Sequence, residues 1–186
     1  MKKYIYTVVL LFVVITVTQA QRMVPKQKGL EVSTGILSND KIGNDYYINI
    51  GMTVNGKNGN YQLWALEYSH QFQNYKDLKI PQETYTAEGG YNFFLLGDTR
   101  KNITLNFALT GVIGYETINR GETLLYDGSK ILTEDNFIYG AGGRLSFETY
   151  LSDRFVVILV GRTKVLWGTD LEQFRPSAGV GLRFNF

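Results

Sequence analysis

His70 is the only histidine in the chain, and there is no cysteine. A metal centre built on imidazole or thiolate would have at most one ligand, so no metal-binding residue is assigned. Hydrolytic chemistry needs a nucleophile beside a base, and Ser69 and His70 are neighbours with Glu67 close by. On a β-strand, adjacent side chains point to opposite faces, so Ser69 and His70 do not meet there. His70 is expected on the outer face near a loop, as an interfacial residue. The run Gly140-Ala141-Gly142-Gly143 resembles a phosphate loop only in its glycines. It lacks the Lys-Ser/Thr pair and the following helix that such a loop requires. No catalytic residue, cofactor or cofactor-binding residue is assigned.

The charged residues are more informative. Glu31, Glu67, Glu88, Arg144, Glu148, Arg162, Lys164, Arg175 and Arg183 recur on the polar face of segments that alternate with a period of two. Ile48, Ile50 and Met52 alternate with Asn49, Gly51 and Thr53, and Leu105, Phe107 and Leu109 with Asn106, Ala108 and Thr110. Such runs predict eight strands, at 29–37, 45–55, 61–72, 82–96, 103–116, 137–151, 154–167 and 175–186. An even count allows an antiparallel meander to close without an edge. Most runs reach the roughly 9–11 residues that cross a hydrocarbon layer at a tilt. The expected fold is therefore an all-β, eight-stranded antiparallel up-and-down outer-membrane β-barrel. Both signs of charge would fill its lumen, paired as a plug with no open channel. One strand fits poorly, because Val156, Ile158 and Val160 share a face with Arg162 and Lys164. A soluble lipocalin-like barrel, apolar inside, is the alternative architecture.

The connections alternate in character. Residues 55–60, 97–102 and 151–153 are short and rich in Gly, Asn, Asp and Ser. The connections expected at the other end are 38–44, 73–81, 116–136 and 168–174. Short turns on the periplasmic side and longer loops outside match the outer-membrane pattern. The loop 116–136 is long enough to suggest a function.

The two ends of the chain agree with export. Lys2 and Lys3 precede an uncharged apolar run, and Thr18-Gln19-Ala20 predicts cleavage between Ala20 and Gln21. The domains are then a signal peptide at 1–20, a periplasmic tail at 21–28 and a barrel at 29–186. At the far end, Gly181, Phe184 and Phe186 resemble the terminal signal of outer-membrane barrels. The formal net charge of +2 includes two lysines of the leader, so the mature chain is near neutral. Direct nucleic-acid binding is not expected. Tyr, Phe and Trp number 13, 11 and 2, enough for aromatic girdles in contact with outer-membrane lipid.

The segment Gln21-Arg22-Met23-Val24-Pro25-Lys26-Gln27-Lys28-Gly29-Leu30-Glu31 resembles the mature start of TraO-type conjugal transfer proteins of Bacteroides-group conjugative transposons. Further resemblance lies in Leu66-Glu67-Tyr68, in Tyr85-Thr86-Ala87-Glu88-Gly89-Gly90-Tyr91 and in Gly121-Glu122-Thr123-Leu124-Leu125-Tyr126-Asp127-Gly128. It implies a non-catalytic component of a mating apparatus at the outer membrane of a Gram-negative bacterium, beside other conjugal transfer proteins. A stand-alone surface or adhesion barrel and a lipid-modifying enzyme are the alternatives. Whether the lumen holds a small molecule is left open.

Overall fold

A computed structural model describes residues 23–37, 45–75, 78–119 and 135–186. Eight strands run in chain order: β1 (Lys28–Leu37), β2 (Tyr46–Asn55), β3 (Tyr61–Tyr75), β4 (Leu78–Gly97), β5 (Ile103–Ile118), β6 (Asn136–Tyr150), β7 (Phe155–Trp167) and β8 (Phe174–Asn185). Each pairs antiparallel with the next, and β1 pairs with β8 from Gly29↔Asn185 to Leu37↔Ser177. The result is a closed up-and-down barrel with no free sheet edge along its closed wall.

The alternation sorts the side chains without ambiguity. Leu30, Val32, Ile48, Ile50, Leu66, Leu109, Leu145, Leu159, Val180 and Leu182 are exposed on the outside. Glu31, Asn49, Thr53, Glu67, Asn106, Glu148 and Arg183 are buried inside. A water-soluble barrel would do the reverse, which removes the lipocalin-like alternative. An apolar outer wall over a polar interior is stable only where hydrocarbon replaces water.

Two sequence-based boundaries need correction. The segment 73–81 was expected as a loop, yet β3 continues to Tyr75 and β4 begins at Leu78, with pairs from Phe72↔Pro81 to Tyr75↔Leu78. Pro81 is tolerated because the β5 ladder starts only at Gln82↔Ile118, so the proline has a strand on one side alone. The β3–β4 hairpin therefore rises past its neighbours. At the opposite end, a bulge between Phe94 and Leu96 shifts the β4–β5 register.

The awkward strand β7 also finds its explanation. Val156, Ile158 and Val160 point inward and pack with Met23, Tyr61, Leu63 and Tyr150. One end of the lumen thus holds an apolar cluster, and Met23 closes it from the chain before β1. That chain is held by hydrogen bonds from the Lys26 amide to the Asn55 carbonyl (2.7 Å) and from the Asn55 amide to the Gln27 carbonyl (2.8 Å). Met23 and Lys26 have positive φ, at 63° and 70°, as a tight reversal across the mouth requires.

Candidate functional site

Above the apolar plug, the lumen is filled by three tiers of paired charge. The first tier centres on Arg183, on β8. Its Nη2 donates to Glu31 at 2.8 Å and to the Tyr61 hydroxyl at 2.8 Å, while Nη1 donates to Glu148 at 2.9 Å. The Tyr61 hydroxyl donates to Glu148, and Arg144 donates to the other oxygen of Glu31. The Arg183 guanidinium also lies 4.4 Å from the centre of the Tyr61 ring.

The second tier joins β3, β4 and β7. Glu67 receives Arg162 at 2.6 Å and Lys164 at 2.8 Å. Lys164 also pairs with Glu88 and donates to Thr86 at 3.1 Å. The Arg162 guanidinium stacks 4.0 Å from the Tyr47 ring.

The third tier closes the other end. Glu116 accepts from Arg175 at 2.6 Å, from Gln82 at 2.7 Å and from Thr169 at 2.6 Å. Arg175 in turn donates to the Glu172 carbonyl at 2.9 Å. A small apolar group of Val112, Ile138 and Leu166 lies beside this tier.

All nine charged residues singled out from the sequence lie in this interior, and each makes at least one ion pair. Glu116 completes the set, so that Glu31, Glu67, Glu88, Glu116 and Glu148 balance Arg144, Arg162, Lys164, Arg175 and Arg183. Sequence reasoning missed Glu116 because it closes a strand and reads as the start of a loop. Tyr47 and Tyr61 were missed because Tyr46 beside Tyr47 is of the same type, and Gln62 beside Tyr61 reverses the expected contrast, the polar residue facing outward.

A balanced, paired interior has consequences for chemistry. The void between Glu67, Lys164, Arg175 and Leu166 is about 10 Å³, roughly the space of one water molecule. Ser69 faces the lumen and His70 the outside, where its ring packs 5.7 Å from Tyr46 and 4.7 Å from Phe72. The two therefore stand on opposite sides of the wall.

The remaining singled-out positions are placed as follows. Gly181 faces inward and Phe184 outward on β8, with Phe184 edge-on to Phe155 at 5.1 Å, and Phe186 is exposed just beyond the strand. The Phe186 amide donates to the Lys28 carbonyl at 2.8 Å. Ala20, Gln21 and the rest of segment 1–22 lie outside the described residues, as do 38–44 and 120–134.

The family model described as conjugative transposon protein TraO matches residues 24–186. No curated protein matches the chain in sequence. Among solved structures, Neisserial surface protein A is similar with a TM-score of 0.60 at 12% identity, over 87% of this chain and 97% of that one. Ail, the attachment invasion locus protein of Yersinia pestis, is similar with a TM-score of 0.56 at 10% identity, over 88% and 100%. At such identity the likeness is one of fold.

Proposed function

The chain belongs to the TraO family of conjugative transposon proteins, and on that footing we propose that it is a non-catalytic docking component of a mating apparatus in the outer membrane of a Gram-negative bacterium. The observation that carries this reading is the interior. The lumen is plugged by Met23 and its apolar neighbours at one end and cross-linked by ion pairs along its length. A barrel of eight strands filled in this way passes neither DNA nor solute. What it offers to an apparatus is a rigid, membrane-held body with surfaces at its two ends.

Export through a cleaved leader, with Ala20 and Gln21 at the cut, would deliver the chain to the outer membrane. Insertion would be guided by Gly181, Phe184 and Phe186. The termini and the short turns then face the periplasm, and the loops face outward. The partners are other transfer proteins of the envelope, reached through segment 116–136, through segment 21–28, or through the surfaces around them. The apolar wall contacts lipid.

The test is mating frequency from a donor with an in-frame deletion of the gene, with and without the gene restored in trans. A large loss repaired by the restored gene is the expected result. Unchanged transfer would remove the conjugative role and leave a stand-alone surface barrel. An altered lipid profile in a His70→Ala strain would instead favour a lipid-modifying enzyme.

A further inference from the structure

Among the described residues, the accessible charges at the two ends of the barrel are predominantly of opposite sign. At the end that bears the termini, Lys26, Lys28, Lys57, Arg100 and Arg154 are exposed, and Lys101 is half-buried over the Phe94 ring at 5.2 Å. They come from all three turns and from the segment that crosses the mouth. No ion pair between described residues involves any of them. The acids of that end are occupied locally. Asp98 accepts from Asn102 at 2.8 Å and from the Ile103 amide at 3.0 Å, and Asp153 is likewise partnered. At the opposite end, the accessible charged side chains that are described are acids: Glu83, Asp135, Asp170 and Glu172.

We propose that the turn-bearing rim is the docking face of this protein, and that its partner is an acidic segment of another envelope protein. The inference rests on the docking role proposed above and names the surface and the chemistry that role would use. Geometry separates this partner from lipid. Only Lys28 stands on the outward wall, next to Leu30. Lys57 and Arg100 lie in turns that leave the wall, and Lys26 lies on the chain drawn over the plugged mouth. Lys26, Lys57 and Arg100 thus form a disc of charge at the end of the barrel, off its lipid-facing wall.

Composition separates the partner from nucleic acid. Val24 and Leu151 are exposed on the same segments as Lys26 and Arg154. A phosphate backbone has no use for apolar groups, whereas a protein segment with alternating acidic and apolar residues engages both. The sealed mouth also makes the disc continuous, so the partner covers the end and does not enter it.

The experiment uses the full chain in donor cells. Lys57→Glu, Arg100→Glu and Arg154→Glu are combined, with Lys57→Arg, Arg100→Lys and Arg154→Lys as the charge-preserving control. A photo-crosslinker at Thr99 reports what lies against the disc. The expected result is a fall in mating frequency of about tenfold or more in the reversed variant, with normal transfer in the control. Both proteins should keep the heat-modifiable mobility of a folded barrel. The crosslink should go to an acidic protein and be lost on reversal.

Normal transfer by the reversed variant, in a strain where gene deletion abolishes transfer, would sink the rim proposal and leave the docking role standing. Normal transfer by the deletion strain would remove both. A crosslink to nucleic acid alone would overturn the choice of partner. So would a stability gap between wild type and reversed variant that arises only when phosphatidylglycerol is added to phosphatidylcholine vesicles.

Discussion

Arg183 reaches two glutamates and a tyrosine from the centre of the first tier, all of them out of contact with water. Removing one partner of a buried ion pair leaves the other charge uncompensated, which costs about 3–5 kcal/mol. Arg183→Leu should lower the unfolding free energy in vesicles by that order, read from urea titration. Arg183→Lys should fall between, because an ammonium keeps the charge but loses the fork that spans Glu31 and Glu148. Equal stability of the leucine variant would show that the tier adds nothing net. Asp98, in an exposed turn, behaves differently. The Ile103 amide and the Asn102 side chain hold its carboxyl below the usual aspartate value of 3.8. A folded-state value below the unfolded one contributes stability that is present above the unfolded value. That contribution is lost as pH falls through the folded value. Amide exchange at Ile103 should therefore accelerate on acidification below the ordinary aspartate range, beyond its intrinsic pH dependence. In Asp98→Ala the amide should already be fast at neutral pH, with no further acid-side step.

The seam between β1 and β8 decides whether the barrel closes, and it depends on a glycine pair. Gly35 stands opposite Gly179. A Cβ on Gly35 would meet the Ala178 carbonyl oxygen at 2.1 Å, and one on Gly179 would meet the Thr34 carbonyl and the Tyr47 hydroxyl at 2.3 Å each. The missing side chain of Gly179 makes room for Tyr47, whose ring supports Arg162. Gly35→Val should prevent closure, seen as loss of the heat-modifiable form, while Gly161→Ala on the open outer face should fold normally, since nothing lies within 4 Å of its added carbon. A closed, heat-modifiable Gly35→Val would refute this account of the seam. The eight strands and their inward and outward faces were legible in the sequence because period-two alternation needs no tertiary information. The height of the β3–β4 hairpin was not, since Pro81 reads as a breaker until the absence of a strand beyond it is known. Nor could β7 be understood alone. Val156, Ile158 and Val160 make sense only once Met23, far away in sequence, is seen closing the same mouth. The nine lumen charges could be put on one face from the sequence, but several of their partners come from strands that are not neighbours in the sheet. Glu31 meets Arg144 across a sequence separation of 113 residues, which no local pattern encodes.

The whole molecule presents two barriers in series between its ends. The plug packs Met23 against Tyr61, Leu63, Tyr150 and the valine and isoleucine side chains of β7, and the tiers beyond it already satisfy one another's charge. Each tier sets its acids directly against its bases, which weakens the field that would draw an ion in. Purified protein in a planar lipid bilayer should therefore show no steady conductance steps. Removing Met23 from the plug, by deleting residues 21–27, should leave the bilayer silent, because the ion-pair tiers still span the lumen. Combining that deletion with Arg144→Ala, Arg162→Ala, Lys164→Ala, Arg175→Ala and Arg183→Ala, which removes the base of every pair in all three tiers, should open it. The ion-pair cross-links of all three tiers would then be gone, and the unpaired glutamates would draw water and cations into the space. Steady conductance by the wild type would mean that the lumen is not packed in the membrane. The argument for a docking body over a conduit would then lose its support. Silence in the wild type with opening only in the combined variant would tie the seal to both barriers. It would also separate the seal from the charged rim, whose reversal should change transfer and leave conductance untouched.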